Sequence, residues 1–325
     1  MLMKYMKIIL NSSILKKTAS YLKREILLLV FILIALGLGE SELSIASLMS
    51  EDDAVSRMIL MEVRMPRVLL SVLVGAGVAT SGALIQGLFR NPLADPALIG
   101  VSGGAALFAS LYIVLGPEVG LLGFGLALSA FIGSLLATWL VILIGDRGGR
   151  ISGMLLAGIA VNAVSLSGVG ILSLLATDQQ LRSVTFWALG SFNHADWQSV
   201  LISLFMLPAL LRILFLARRL DIMTLGDLEA GHLGIEVPKL RLEAILLAAL
   251  ITGIAVSLCG VIAFVGLIVP HLVRMVSHAR HEIVLPGSMV VGGMLVLLAD
   301  TISRQLFSPA QIPVGIVTAL IGGPF

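Results

Sequence analysis

Long apolar segments follow one another along nearly the whole chain, and this feature restricts the possible folds more than any other. A bilayer core about 30 Å thick is crossed by a helix of roughly 20 apolar residues. Segments of this character occupy residues 26–39, 68–89, 97–115, 119–144, 154–175, 200–217, 242–259, 262–273, 283–302 and 314–325. Only 12% of the residues are charged, against about 25% in a typical soluble domain. The sequence therefore predicts an all-α integral membrane protein with about ten transmembrane helices in a single domain, residues 1–325.

Three of these segments are shorter than a full crossing. Residues 26–39 follow a basic stretch typical of a signal peptide, but no small-residue cleavage site precedes Glu40, so we interpret them as an uncleaved first span. Residues 262–273 suit a short helix packed inside protein. Residues 314–325 would extend about 18 Å as a helix. We therefore expect the last span to continue beyond Phe325.

Lys and Arg residues are distributed unevenly among the connections between spans. Cytoplasmic connections of membrane proteins are enriched in these residues. A cytoplasmic N-terminus with alternating spans places 16 of the 21 Lys and Arg residues inside. The other five are Arg57, Arg64, Arg67, Arg182 and Arg304. We therefore expect both termini in the cytoplasm.

Several function classes are disfavoured by what the sequence lacks. The single cysteine, Cys259, excludes disulfides within the chain and any cysteine-based metal centre. The net charge of +2 gives no reason to expect a nucleic-acid partner. No G-x-x-x-x-G-K-[ST] phosphate loop is present, so the chain is not expected to be an enzyme that hydrolyses ATP. Ionisable residues within the spans are rare, with Asp300 as the main exception, whereas ion-coupled carriers normally use intramembrane carboxylates. A partner should therefore supply the energy, with a secondary carrier or channel as the weaker alternative.

The chain between the second and third spans is interrupted by turn-forming residues. Asn91, Pro92 and Pro96, with glycines after them, predict a cytoplasmic re-entry whose irregular backbone is buried in protein. Glycines within the second span permit close helix contact, with pore lining as the alternative; they are Gly75, Gly77 and Gly82.

The longest polar insertion expected on the inside is residues 221–239, DIMTLGDLEAGHLGIEVPK. The pattern predicts two short helices separated by Gly231, with Thr224 or Asp227 capping an N-terminus and Gly234 ending a helix. A short amphipathic segment between two membrane helices would suit a docking surface for a soluble motor. An ordinary cytoplasmic loop is the alternative.

Seven motifs along the chain resemble those of FecCD-type permeases of bacterial ABC importers, which carry iron–siderophores, haem and cobalamin. These motifs are R-M-P-R (64–67), S-G-A-L-I-Q-G-L-F-R-N-P-L-A-D-P (81–96), G-V-S-G-G-A (100–105), T-L-G-D-L-E-A-G-H-L-G (224–234), F-V-G-L-I-V-P-H-L-V-R (264–274), L-L-A-D-T-I-S-R (297–304) and I-P-V-G-I-V-T-A-L-I-G-G-P-F (312–325). Together they are specific, although any one alone is weak. The family pattern runs on past G-G-P-F, in agreement with the expected longer last span.

The resemblance implies a type II ABC importer permease fold in the bacterial inner membrane, with two copies forming a homodimer around the substrate path. It implies no cofactor in this chain, because ATP and Mg²⁺ would bind to two cytoplasmic ATPase subunits. Those subunits would contact the coupling residues Thr224, Leu225, Gly226, Asp227, Glu229, Gly231 and Gly234. A periplasmic substrate-binding protein would place glutamates against Arg64, Arg67 and Arg304. The alternative for these arginines is anchoring of helix ends at lipid headgroups.

The predicted outer connection at residues 177–198 is the most distinctive polar stretch, and we expect it to face the substrate path. Its candidate substrate residues are Arg182, Trp187, Asn193 and His194. Aromatic faces and a cation suit a flat macrocycle with carboxylates, and a histidine can ligate haem iron. The phrase L-R-S-V-T-F-W-A-L-G-S resembles haem permeases of the family, so haem is the favoured cargo, with an iron–siderophore or cobalamin as alternatives. Interfacial tryptophans often only anchor a protein in the membrane, and a lone loop histidine is more often solvated than a ligand.

Two further histidines, His278 and His281, flank Arg280 and superficially suggest a metal site. Only Glu282 is available nearby to complete a ligand set, so we interpret this stretch as a cytoplasmic turn. We therefore expect no metal site in the chain.

Overall fold

The computed structural model describes residues 28, 31–32, 35–36, 54–116, 122–145, 151–277, 279–306 and 311–324. Within these ranges the chain is helical or forms connections, and it contains no strand. The helices are α1 (Ala54–Phe89), α2 (Val101–Leu115), α3 (Leu122–Gly145), α4 (Ile151–Leu175), α5 (Asp178–Ala188), α6 (Trp197–Ser203), α7 (Met206–Phe215), α8 (Ala217–Met223), α9 (Asp227–His232), α10 (Val237–Cys259), α11 (Val265–Val276), α12 (His281–Gln305) and α13 (Val314–Gly322). A π-helical stretch, Ile59–Arg64, lies within α1, and a 3-10 turn, Pro96–Ile99, precedes α2.

Six helical segments are long and apolar enough to cross a membrane. They are α1, α3, α4, the consecutive pair α6 and α7, α10 and α12. Helices α2 and α11 are apolar but shorter, and α13 has nine described residues. The all-α membrane architecture is therefore confirmed, while the predicted number of ten spans is not established.

The ends of the chain are described only in part. At residues 28, 31–32 and 35–36 the chain is helical, and Ala35 packs against Val68 of α1 and Leu297 of α12. The remainder of the predicted span 26–39 lies outside the described residues, as does Phe325 at the end of the predicted last span.

The predicted span 200–217 is divided into α6 and α7 at Leu204 and Phe205. Pro208 lacks the N–H group that would donate to the Leu204 carbonyl in a continuous helix. The Leu207 N–H donates to Leu204 instead, at 3.0 Å. The interruption therefore has a local cause in the sequence.

Glycines bring α1 into direct backbone contact with two neighbouring helices, as predicted. A Cβ atom on Gly75 would lie 2.3 Å from the Gly292 carbonyl oxygen of α12, and one on Gly82 would lie 1.9 Å from that of Gly266 in α11. Gly77 faces the side chains of Ile251 and Met206. Close packing is thus the observed role of all three glycines in α1 that the sequence singled out.

Two irregular connections enter the interior of the helix bundle. The first runs from Arg90, in the left-handed region at φ 50°, through the 3-10 turn to Gly100 at φ 84°. The Asn162 side-chain amide donates to the Ala97 carbonyl at 2.8 Å, so this backbone is hydrogen-bonded by protein. It forms the predicted re-entry. The second connects α10 to α11 and has positive φ at Gly260 and Phe264.

Helices α1 and α12 are antiparallel, and their ends define the two ends of the bundle. At one end, Arg67 of α1 pairs with Asp300 of α12, and we call this the Asp300 end. The opposite end, where Arg90 meets the connection between α8 and α10, is the Asp227 end.

Candidate functional site

The predicted coupling segment, residues 221–239, forms a surface at the Asp227 end. Helix α8 ends at Met223 and the six-residue helix α9 follows, so two short helices are present as expected. They separate at Gly226, not at the predicted Gly231, which lies within α9. The reason is conformational, because Gly226 has φ 120°, a value that favours glycine. The predicted end at Gly234 is confirmed, since that residue has φ 85° just after α9.

The predicted N-terminal caps are not formed. Gly226 occupies the N-cap position of α9 and provides no side-chain hydrogen bond. The Thr224 hydroxyl donates instead to the Asp221 carbonyl, at 2.7 Å. Asp227 is the first residue of α9, and its carboxylate is directed towards two arginines.

Asp227 joins the coupling segment to two membrane helices. One carboxylate oxygen accepts a hydrogen bond from Arg90 at the end of α1, at 3.1 Å. The other accepts from Arg241 near the start of α10, at 2.9 Å. The Arg241 side chain is buried whereas that of Asp227 is half-buried. Asp227 therefore holds the segment onto the bundle.

A second anchor lies on the N-terminal side of the segment. One Asp221 oxygen accepts from the backbone N–H of His281 at 2.9 Å and lies 2.7 Å from the His281 Nδ1 atom. The imidazole is buried against Gly87 of α1. Of the turn predicted around Arg280, residues 277, 279 and 280 form a non-helical connection, whereas His281 begins α12; His278 lies outside the described residues. Glu282, the residue after His281 in α12, accepts a hydrogen bond from Arg218 of α8. This bond and the negative charge of Glu282 raise the pKa of Arg218.

The exposed part of the coupling segment includes three leucines. Leu225, Leu228 and Leu233 are 61%, 77% and 60% exposed. Thr224, Glu229, Gly231 and Gly234 are also exposed. Leu228 and Leu233 were not singled out from the sequence. Three leucines, at spacings of three and five residues in a polar segment, could have indicated an apolar contact surface there.

At the Asp300 end, the arginines predicted to contact a partner are buried within the chain. Asp300 is fully buried; it accepts bonds from Arg67 Nε at 3.1 and 3.0 Å and from Arg67 Nη2 at 2.8 Å. Arg304 Nε lies 3.3 Å from the other Asp300 oxygen. Arg64 donates to the Leu36 carbonyl at 2.9 Å. The sequence had suggested exposed ion pairs, but Asp300 draws two of these guanidinium groups into the bundle.

The candidate substrate residues occupy α5 and the connection after it, also at the Asp300 end. Arg182, Asn193 and His194 are exposed. Trp187 is half-buried and packs against a small cluster that includes Ala109 and Val256. Phe186, one residue earlier, is instead 59% exposed and lies one helical turn from Arg182. The described residues contain no group of three or more His, Cys, Asp and Glu side chains suited to a metal.

The scarcity of interior ionisable groups expected from the sequence is only partly correct. Besides Asp300, the side chains of Arg64, Arg67, Arg241 and Arg304 are buried. A further carboxylate, Asp95, lines a cavity inside the bundle. Sequence analysis missed it because Asp95 lies in the connection before the third span.

Comparisons with known proteins agree with this arrangement. The model of the FecCD transport family matches residues 27–325. The chain is 44% identical over 310 residues to the hemin transport system permease protein HmuU of Yersinia pestis, with 92% of each chain covered. It is 35% identical over 299 residues to the vitamin B12 import system permease protein BtuC of Klebsiella pneumoniae, covering 92% of this chain and 89% of that protein.

Solved structures give the same result. One, described as an inward-facing metal-chelate type ABC transporter, matches with a TM-score of 0.86 and 35% identity, covering 93% of this chain and 96% of the other. A second, PsaBC from Streptococcus pneumoniae, has a TM-score of 0.57 and 18% identity over 79% of this chain and 87% of the other, and supports the fold alone. The chain is a multi-pass membrane protein that belongs to the FecCD transport family of ABC transporter permeases.

Proposed function

We propose that the protein is the permease subunit of an ATP-driven importer that moves haem from the periplasm to the cytoplasm across the bacterial inner membrane. The observation that carries this proposal is the 44% identity to a hemin permease over 92% of both chains. The vitamin B12 permeases are 33–35% identical over similar lengths. Cobalamin, or an iron–siderophore, is the alternative cargo. A secondary carrier or channel is the less favoured alternative.

The proposed orientation places the Asp227 end in the cytoplasm, together with both termini. It rests on the excess of Lys and Arg in the connections assigned to that side. In the proposed assembly two copies of the chain form a homodimer. Two cytoplasmic ATPase subunits, which would bind ATP and Mg²⁺, contact the coupling segment.

The surface of the coupling segment supports this contact. Its three exposed leucines provide apolar area of the kind found at the centre of protein interfaces. The ion pairs of Asp227 and the hydrogen bonds of Asp221 connect the same segment to α1, α10 and α12. A displacement of the segment by an ATPase would therefore act directly on three helices of the bundle.

The Asp300 end would receive a periplasmic binding protein. Arg64, Arg67 and Arg304 contribute positive charge there, and Arg57 and Arg182 are the exposed cations of that end within the described residues. Opposite charges across an interface mainly increase the rate of encounter and fix orientation. Because the first three side chains are buried, glutamates of the partner would have to compete with Asp300 for Arg67 and Arg304.

Helix α5 supports haem as the cargo. Arg182 and Phe186 are four residues apart and therefore lie on the same face of the helix. A guanidinium group pairs well with a carboxylate, and an exposed aromatic ring can stack on a flat macrocycle. Haem offers both features. Asn193 and His194 are exposed in the following connection and complete the proposed substrate surface.

The cargo proposal is tested by uptake into proteoliposomes that contain the permease with its ATPase, supplied with the cognate binding protein. We expect ATP-dependent uptake of haem that excess cobalamin or ferric siderophore does not inhibit. Arg182→Gln should reduce uptake of haem but not of haem dimethyl ester, whose carboxylates are masked. Uptake of cobalamin or siderophore with no uptake of haem would refute the cargo.

A further inference from the structure

A small, partly open cavity with polar and apolar walls lies between the helices of the bundle. Its volume is about 20 Å³, which is enough for one water molecule or one small ion. Three side chains with oxygen atoms line it: Asp95, Ser102 and Thr252. Val74 and Val78 also line it, and these residues lie near the middle of the stretch Met65–Phe89 of α1. Along α1 the cavity therefore lies near mid-depth, while Cys259 and Gly260 on its other side adjoin the connection after α5.

Asp95 brings a carboxylate to this cavity without an ion-pair partner among the described residues. One of its oxygens accepts a hydrogen bond from the Ala97 N–H, at 2.8 Å, and caps the 3-10 turn. The other oxygen lies beside Gly266, 3.1 Å from the position that a Cβ atom would take there. Asp95 is only partly exposed, and burial raises the pKa of its carboxyl group, so a positive charge beside it would favour the ionised form.

Thr252 supplies an independent indication that a ligand is required. Its side chain is 3% exposed, and among the described residues its hydroxyl oxygen has no hydrogen-bond partner. A buried hydroxyl group is normally satisfied by protein or by a bound ligand. Thr252 is among the residues that line the cavity, as Asp95 is.

The helix ends around the cavity add further negative potential. Helix α10 ends at Cys259, and both Cys259 and Gly260 line the cavity. The carbonyl end of a helix carries partial negative charge. In other membrane proteins, interrupted helices of this kind use such ends, together with freed carbonyl groups, to coordinate Na⁺. The interruption here spans Gly260 to Phe264, where α11 has not yet begun.

We propose that this cavity binds one monovalent alkali cation, with Na⁺ as the best fit, held by Asp95, Thr252 and Ser102. One carboxylate with neutral oxygen donors beside an interrupted helix resembles the Na⁺ sites of other membrane proteins, and the described residues contain no group of three or more His, Cys, Asp and Glu side chains that could hold a metal ion. The competing arrangement is a water molecule beside a protonated Asp95, which predicts a dependence of stability on pH with none on Na⁺. The cation joins the first irregular connection to the end of α10. This site does not depend on the proposed cargo or energy source.

The test is thermal unfolding of the purified permease in detergent, in NaCl and in choline chloride of equal ionic strength. A ligand that binds only the folded state raises the melting temperature by mass action. We expect an increase of about 2–4 °C when Na⁺ is about 10–100 times its Kd. Equal melting temperatures in the two salts would overturn the proposal, as would a dependence on pH with none on Na⁺.

Two variants locate the site. Asp95→Asn retains the cap on Ala97, since asparagine is an equally good cap, and should lose the Na⁺-dependent shift. Thr252→Val removes the unpartnered hydroxyl with little change in shape and should reduce the shift. The matched control is Asp196→Asn, which caps α6 far from the cavity and should retain the full shift. A shift that persists in both Asp95→Asn and Thr252→Val would overturn the assignment even if one of them is less stable.

Discussion

Asp300 is fully buried and carries the negative charge shared by Arg67 and Arg304, at distances of 2.8–3.3 Å. Asp300→Asn keeps the shape but removes that charge from between two buried guanidinium groups. Breaking a buried ion pair from one side typically costs about 3–5 kcal/mol. For a chain of this length, this corresponds to a melting temperature lower by about 4–8 °C.

The same geometry predicts an asymmetry between the partners. Arg67→Met leaves Asp300 paired with Arg304, so it should cost less, about 1–3 kcal/mol. Both variants are compared with the wild type by thermal unfolding in detergent, with Asp196→Asn, an exposed cap at the same end, as a control expected to change stability by less than about 1 kcal/mol. If Asp300→Asn were as stable as the control, or more stable than Arg67→Met, the reasoning on charge burial would be refuted.

Three further predictions concern packing and coupling. Gly82→Ala should destabilise the protein by about 1–3 kcal/mol in thermal unfolding, because its new methyl group would meet the Gly266 carbonyl oxygen. Unchanged stability would contradict the close contact between α1 and α11. Leu228→Asp should reduce ATP-driven uptake about tenfold while binding-protein docking is retained, with Asp196→Asn, the exposed cap of α6 at the Asp300 end, as the control. Gly226→Ala should also lower uptake per ATP hydrolysed, because alanine disfavours φ 120°. The ratio of uptake to hydrolysis measures this effect. An unchanged ratio would exclude the segment as the coupling element.

Much of the fold follows from the sequence because membrane helices are local in origin. The length and apolar character of each segment are sufficient to predict six spans that the structure confirms. The interruption after Arg90 was predictable from Pro92 and Pro96, whose rings restrict the chain. Pro208 also causes the division of the predicted span at Leu204. This division was not predicted, because a hydropathy pattern gives no sign of a single missing hydrogen bond.

The features that sequence analysis missed depend on distant parts of the chain. Arg67 and Asp300 are 233 residues apart, and no local pattern indicates that they pair. The interior position of Asp95 depends on how the first irregular connection enters the bundle beside Gly266. Similarly, the coupling segment was located from its polar composition, whereas its separation at Gly226 depends on a backbone conformation that several of its glycines could have adopted.

We expect this permease to carry out transport only with energy supplied by a partner ATPase. The decisive comparison is between haem uptake in proteoliposomes that contain the permease alone, under proton and sodium gradients, and uptake in vesicles that also contain the ATPase, ATP and the binding protein. We predict uptake only in the complete system. Gradient-driven uptake by the permease alone would contradict the account.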